Sequence, residues 1–533
     1  MDIDILIKNG TVYDGTGGKP ELADVGILSD KIIFPLKKDE IYNAKHTINA
    51  DGLAVAPGFI NIHSHSDISF LIDPRVPSAL LQGITTEVTG NCGTSAAPLA
   101  GEELNETRRS LKQEYDFEVT WEDFDGYFSL VESLKPSINV ASLVGHGTLR
   151  GSCVGMEDRP PTIEEMEKMK QTLSHAMLQG AVGLSTGLIY PPGCYSKKAE
   201  IVELAVTAKI SGGFYASHIR GEAETLQEAI AEAIAIGRDA DIRVQISHLK
   251  AAGEKNWGKT KKLLDMIHEA RKSALTIQHD QYPYTSSATG LSMVLPEWTF
   301  DGGTDAFMSR LKVPEIREKI VREMEPSLKK NGETIWISSV ITEKNKIYEG
   351  MKTTDAAELA QKPISDFILD LLYEERGMVG AIFLSMSEED VRRIMKDPFT
   401  CIGNDATARA ADGPLFSGMP HPRTYGTFPR VLGHYSRDLK LFSTEEAVRK
   451  MTSLPAKMIN LSGRGEIRDG YYADIVIFNV EKIKDTATYE DPHSYPEGIE
   501  YVLVNGGIAA QAGEVMKLRH GRVLRHTFQG GVC

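Results

Sequence analysis

Two patterns of apolar positions alternate along the middle of this chain. Short runs that are apolar or small at nearly every residue, such as Phe59-Ile60-Asn61-Ile62 and Phe214-Tyr215-Ala216-Ser217, read as buried strands. Longer segments between them carry one apolar stripe. Over about 222–238, Leu226, Ile230 and Ile234 share a face and predict a helix. Over about 162–179 a helix opens on the capping box Thr162 to Glu165 and stops at Gly180. A third is expected near 259–272. Counting from the run that ends at His63, eight strands are expected. They end near His65, Gly93, Gly147, Gly187, His218, His248, Tyr284 and Asp405. Strand–helix alternation with buried strands means a parallel sheet, and eight units predict an α/β fold closed as a (β/α)8 barrel of the TIM type.

The two ends of the chain read differently. Ile3-Asp4-Ile5-Leu6-Ile7 runs into an Asn9-Gly10 turn, and Tyr501-Val502-Leu503-Val504 runs into Asn505-Gly506. A small β-sandwich built from residues 1–57 and 461–533 is expected beside a barrel over 58–460. The stretch from Tyr284 to Phe399 is too long for one crossover. Helical segments are expected near 304–326 and 354–375, with about 286–350 inserted as a lid over the barrel mouth.

Charge and cysteine content narrow the function. A formal net charge of −15 argues against nucleic acid or an anionic membrane as partner. No run of about 18 apolar residues predicts a membrane helix, and Met1-Asp2-Ile3-Asp4 lacks the basic start of a signal peptide. Five scattered cysteines fit a reducing, cytoplasmic setting better than a disulfide framework.

The candidate chemistry sits at the strand ends. His63 and His65, one residue apart, point to the same side of an extended chain. Cys92, His218, His248 and Asp405 each follow another strand. In a barrel these ends converge on one face, where active sites form. Four imidazoles, a thiolate and a carboxylate suit Zn²⁺. Lys250, two residues past His248, points into the same mouth. His146 also ends a strand and could line the pocket or hydrogen-bond structurally, so it stays outside the ligand set; His279, inside its strand, reads as structural.

Several motifs resemble the D-aminoacylase (N-acyl-D-amino-acid deacylase) family of the amidohydrolase superfamily. They include Ala56-Pro57-Gly58-Phe59-Ile60-Asn61-Ile62-His63-Ser64-His65, Gly90-Asn91-Cys92-Gly93, Ser217-His218-Ile219-Arg220-Gly221-Glu222, Ser247-His248-Leu249-Lys250, Asp280-Gln281-Tyr282-Pro283-Tyr284 and His421-Pro422-Arg423. The resemblance implies a tight zinc on Cys92, His218 and His248, and a second, weaker position on His63, His65 and Asp405. It implies Asp405 as the proton carrier, Tyr190 as a donor to the oxyanion, and Lys250, Tyr282 and Arg423 as the set that binds a substrate α-carboxylate. The substrate would be a small N-acyl amino acid; no oligomeric state is implied. The chain departs from the family pattern at Asn404-Asp405-Ala406, where Ser-Asp-Gly is usual. Relatives that take acidic side chains carry an arginine shortly after Tyr-Pro-Tyr. Here that segment offers Leu291, Met293, Leu295 and Trp298, so an apolar or neutral side chain is expected, with lid core an equal reading of many of those residues. A cyclic-amide hydrolase of hydantoinase type is the nearest alternative, but Val182-Gly183-Leu184-Ser185 lacks the bridging lysine expected on a fourth strand. A hydrolase of D-dipeptides or a barrel that has lost catalysis are the others.

Overall fold

A computed structural model of the chain describes residues 1–37, 40–527 and 531–532. The barrel strands are β1 (Phe59–Asn61), β2 (Ile84–Thr89), β3 (Asn139–Ser142, resuming at Val144–Gly145), β4 (Gly183–Gly187), β5 (Phe214–His218), β6 (Val244–Ile246), β7 (Ile277–Gln281) and β8 (Thr400–Ile402). Neighbours in sequence pair in parallel from β1 to β8. The ring closes between β8 and β1 through a parallel bridge of Ser64 to Ala406, with Asp405 N donating to His63 O at 2.9 Å. The seam that closes the barrel therefore brings the His63-x-His65 segment against Asp405. Every residue of these strands is buried, which explains the apolar or small character of most of them; β7, Ile277-Gln278-His279-Asp280-Gln281, is the polar exception.

The helices outside the ring follow the predicted stripes, with two informative differences. Ile163–Leu178 carries the Thr162–Glu165 capping box, and Leu226, Ile230 and Ile234 of Leu226–Asp239 are buried against the barrel. That second helix begins at Leu226, not near 222, so Glu222 stays in the loop after β5. The segments expected as single helices near 304–326 and 354–375 are each broken in two. They form Gly303–Leu311 with Pro314–Asn331, and Thr353–Leu359 with Ile364–Glu374. Pro314 and Pro363 stand at the starts of the second members, where a missing N–H costs nothing.

Both chain ends enter one nine-stranded sheet. Ala54–Pro57 pairs antiparallel with Ile475–Phe478 at its centre, and Asp2–Val12 and Ile499–Val504 lie on either side. Past this sheet the chain returns to the barrel: Arg522 O accepts from Val140 N at 2.9 Å and Leu524 N donates to Val140 O at 2.7 Å. The inserted segment runs beyond 350. Gly380–Leu384 pairs with both Ser286–Gly290 and Ile335–Ser339 as the central strand of a small antiparallel sheet. The insertion has its own core, and that core takes the apolar residues after Tyr-Pro-Tyr. Leu291 and Leu295 are buried in it, and Trp298 packs on it. They stabilise the insertion and do not line the cavities beside Asp405. Among the described residues no helix is long and apolar enough to cross a membrane.

Candidate metal centre

The six expected ligands converge above the C-terminal ends of the strands. Donor atoms of Cys92, His218 and His248 lie within 4.8 Å of one another, as do those of His63, His65, Cys92 and Asp405. Cys92 belongs to both groups. Its Sγ is 3.2 Å from His63 Nε2 and 3.5 Å from His248 Nε2, which is 2.8 Å from His218 Nδ1. Asp405 Oδ1 is 3.0 Å from His65 Nε2 and 3.2 Å from His63 Nε2. The backbone is left-handed at Cys92 (φ +52°), His248 (φ +34°) and Asp405 (φ +49°). Such conformations cost of order 1–3 kcal/mol each and gather where side chains must be aimed.

Two carboxylates organise these donors. Asp280, at the end of β7, accepts at Oδ1 from His248 N (2.9 Å), and the same oxygen lies 3.0 Å from His63 Nδ1. Its Oδ2 accepts from Gln245 at 2.8 Å. Glu222 Oε1 lies 2.5 Å from Lys250 Nζ and 3.1 Å from His248 Nδ1. Each motif contained its acid, but neither acid stood out, because nothing local in the chain tells an orienting carboxylate from an ordinary one. Carboxylates that hold the far nitrogen of a ligating imidazole fix its orientation and raise its basicity.

The electrostatics favour a cation here. Burial alone would raise the Cys92 thiol, but His63, His248 and His218 hold it well below the usual range. Burial likewise opposes ionisation of Asp405, yet Arg423, His248 and His63 keep it well below the ordinary carboxylate value. His63 is pushed up: burial resists its charge, while Cys92, Asp280 and Asp405 favour it strongly. Thiolate and carboxylate together thus call for positive charge among the imidazoles. His218 Nε2 is buried with no hydrogen-bond partner. A thiolate, four imidazoles and a carboxylate around this point fit zinc.

Of the remaining expected residues, Tyr190, Lys250 and Arg423 line the same space, and Tyr282 is buried behind Arg423. A cavity of about 320 Å³ is bounded by His65, Cys92, Tyr190, Lys250, Asp405 and Arg423, among others. Tyr190 OH sits 3.0 Å from Thr289 Oγ1 of the insertion, and its ring centroid lies 5.0 Å from that of His218. Arg423 Nη1 is 2.9 Å from Asp405 Oδ2, and its Cζ lies 4.6 Å from the Tyr282 ring centroid. Arg423 Nε and Tyr282 OH are buried without a hydrogen bond. His146 and His279 stay outside the cluster. His146 Nε2 is 2.9 Å from Glu200 Oε1, and His279 Nε2 is 2.8 Å from Thr400 Oγ1.

A closed eight-stranded parallel barrel with two adjoining metal-binding groups at its mouth defines an amidohydrolase. Comparison with known proteins agrees. An amidohydrolase family model matches residues 357–510. The D-aminoacylase of Alcaligenes xylosoxydans xylosoxydans is 35% identical over 98% of this chain and 98% of its own length. The N-acyl-D-glutamate deacylase of the same organism is 34% identical over 98% and 96%. The crystal structure of N-acyl-D-glutamate deacylase from Bordetella bronchiseptica, complexed with zinc and a phosphonate inhibitor that mimics the tetrahedral intermediate, superposes with a TM-score of 0.83. It is 33% identical and covers 98% of this chain and 100% of that one. The chain belongs to the D-aminoacylase family.

Proposed function

We propose that this chain hydrolyses the amide bond of N-acyl-D-amino acids with zinc as cofactor, releasing a carboxylate and the free D-amino acid. The observation that carries the reading is the pair of donor groups that share Cys92 and lie against the buried Asp405. Cys92, His218 and His248 would hold the tighter ion, and His63, His65 and Asp405 a weaker one. A zinc ion bound there supplies Lewis acidity to the acyl carbonyl and lowers the pKa of a water.

The side chains do the rest. Asp405 takes the proton of the attacking water, keeps it on a carboxylate oxygen and passes it to the leaving nitrogen. The Tyr190 hydroxyl donates to the former carbonyl oxygen as negative charge builds there. Arg423, Tyr282 and Lys250 bind the α-carboxylate. The reading is supported by Arg423 Nε and the Tyr282 hydroxyl, buried donors with no hydrogen-bond partner of their own, and by the suitability of a guanidinium for a carboxylate. Glu222 partly neutralises Lys250 and keeps its ammonium from repelling the metal. The insertion over about 286–384 covers the mouth as a lid, the barrel spans about 58–460, and the two chain ends form one accessory domain. A reducing, cytoplasmic setting suits a centre that depends on the Cys92 thiolate.

The test compares N-acetyl-D- and N-acetyl-L-amino acids, with leucine and glutamate in each hand, on the wild type and Asp405→Asn. Release from the D forms alone is expected, with kcat in the variant lower by about 10²–10⁴ and zinc kept on Cys92, His218 and His248. Wild-type turnover by Asp405→Asn overturns the assignment of the proton carrier.

A further inference from the structure

A second cavity opens on the far side of Asp405 and Arg423. It is about 210 Å³ in volume, shares those two residues and His65 with the main cavity, and runs on to Arg409, Ser338 and Ser417. Arg409 and Ser417 belong to the long loop between Asp405 and His421, and Ser338 to the insertion strand Ile335–Ser339. The walls are therefore polar, while Leu291 and Leu295 lie away from them in the core of the insertion. The segment from Thr285 to Trp298 contributes no lysine or arginine. Of the two arginines in the cavity, Arg423 lies 2.9 Å from Asp405 Oδ2. Burial, followed by Arg423, holds the His421 imidazole well below its ordinary value, so it adds no charge.

Arg409 is fixed but not neutralised. Its N–H donates to Ser78 Oγ at 2.8 Å and its carbonyl accepts from Ser78 N at 3.2 Å. The half-buried side chain donates from Nη1 to Ser417 Oγ at 2.7 Å and lies beside the Tyr115 hydroxyl. Glu114 also lies beside that hydroxyl, and Asp412, on the same loop, is 2.9 Å from Arg75. Among the described residues neither of them, nor any other carboxylate, forms an ion pair with Arg409. A guanidinium tethered at one N–H keeps the rest of its fork for a ligand. The reading above places the substrate's α-carboxylate on Arg423, Tyr282 and Lys250 and its nitrogen near Asp405. The α-carbon then sits where the two cavities join, and the side chain it carries enters the second. We infer that Arg409 is a specificity-determining residue that binds the side chain of the D-amino acid, and that this side chain ends in a carboxylate. This rests on the deacylase reading and names the substrate class within it. Two arginines read the two carboxylates, Arg423 the one on the α-carbon and Arg409 the one at the end of the side chain.

The experiment uses the zinc-loaded full chain. N-acetyl-D-aspartate, N-acetyl-D-glutamate and N-acetyl-D-2-aminoadipate are each compared with their side-chain amides. At least one acid is expected to exceed its amide tenfold or more in kcat/KM, the scale of one charge-assisted hydrogen bond. Arg409→Met is expected to bring that ratio to one or below. Arg409→Lys, which keeps the charge without the fork, is expected to leave it in between. Thermal melting and zinc content identify the folded variants. A wild type that hydrolyses every amide as well as its acid overturns the inference and leaves the deacylase reading standing, whatever the variants do. So does an acid preference that survives in folded Arg409→Met. Failure to hydrolyse any N-acetyl-D-amino acid, leucine included, overturns the deacylase reading itself.

Discussion

Asn404→Ala removes a side chain that never touches the metal ligands' donor atoms, yet it is expected to disable Asp405. Asn404 Oδ1 accepts from Asn61 Nδ2 at 2.8 Å and from Ala406 N at 3.1 Å, while its own N–H donates to Asn61 Oδ1 at 3.0 Å. These bonds bracket Asp405, whose left-handed backbone at φ +49° costs about 1–3 kcal/mol. Truncation leaves one N–H of Asn61 and the N–H of Ala406 buried without an acceptor, at about 1–3 kcal/mol each. The expected destabilisation is therefore about 2–6 kcal/mol. At about 2 cal/mol/K per residue, a cooperative chain of this length has an unfolding entropy near 1 kcal/mol/K, so Tm should fall by about 2–6 °C.

The larger effect falls on catalysis. Asp405 Oδ1 is held 3.0 Å from His65 and 3.2 Å from His63, and a misplacement of about 1 Å costs about 10²-fold. So kcat should fall about a hundredfold, with a much smaller change in KM and zinc content kept. Asn404→Ser is the informative control. Its hydroxyl can still accept from the N–H two residues on, as in a serine turn, but cannot reach Asn61. It should recover roughly half of the stability loss and most of the rate. Steady-state kinetics, metal analysis and calorimetry on the two variants decide the matter. Wild-type kcat in Asn404→Ala, or a loss of rate that tracks a loss of zinc, refutes the positioning role.

Two further outcomes are expected. Cys92→Ser replaces a thiolate by a hydroxyl that stays protonated at neutral pH, so dialysed protein should retain far less zinc than the wild type. Its Tm gain on adding zinc should shrink by about 1 °C for each tenfold loss of affinity, and full zinc content after dialysis would refute the shared-ligand role. Lys450 is fully buried and donates to the Asp397 carbonyl; burial, against the pull of Glu446, lowers it from 10.5 to about 8. Between those values the unfolded chain holds a proton that the folded chain lacks, so stability should rise with pH through that window, by up to about 3 kcal/mol. Lys450→Met should flatten the rise between pH 8 and 10 in calorimetry, and an equal rise in the variant would refute the assignment.

The barrel was legible because most of its strands are short runs of apolar or small residues followed by a striped helix, so the local period separates the two; β7, with Gln278, His279, Asp280 and Gln281, is the exception. The ligand set was legible because barrel geometry turns eight distant strand ends into one neighbourhood. The insertion was only half legible. Gly380–Leu384 reads as an ordinary strand, and its antiparallel partner Ser286–Gly290 lies some ninety residues earlier. Local pattern carries no information on such pairing. Leu291 and Leu295 fit pocket lining and lid core equally well in the sequence, because an apolar residue near a site motif serves either, and the separate core of the insertion decides for the second. Glu222 falls inside the helix expected from the Leu226, Ile230 and Ile234 stripe, because a stripe fixes a helix's face and not its first residue. Its contacts with Lys250 and His248 lie in the loop after β5, beyond what propensity can register.

Asp280 shows how the two donor groups come to act together. Its Oδ1 meets both His63 Nδ1, from the group around Asp405, and His248 N, from the group around His218. Gln245 holds the other oxygen, so the carboxylate cannot turn to favour one partner without losing a bond to β6. The His248 backbone, left-handed at φ +34°, is pinned by this same bond. A change at one donor group therefore reaches the other through Asp280 as well as through Cys92. Strain at Cys92, His248 and Asp405 is tolerated because each lies beside a bond to a buried strand-end group: Gly93 N to Ser185, His248 N to Asp280, and Asp405 N to His63 O. The barrel thus spends part of its stability on aiming donors at one point, and a bound cation returns it by linkage.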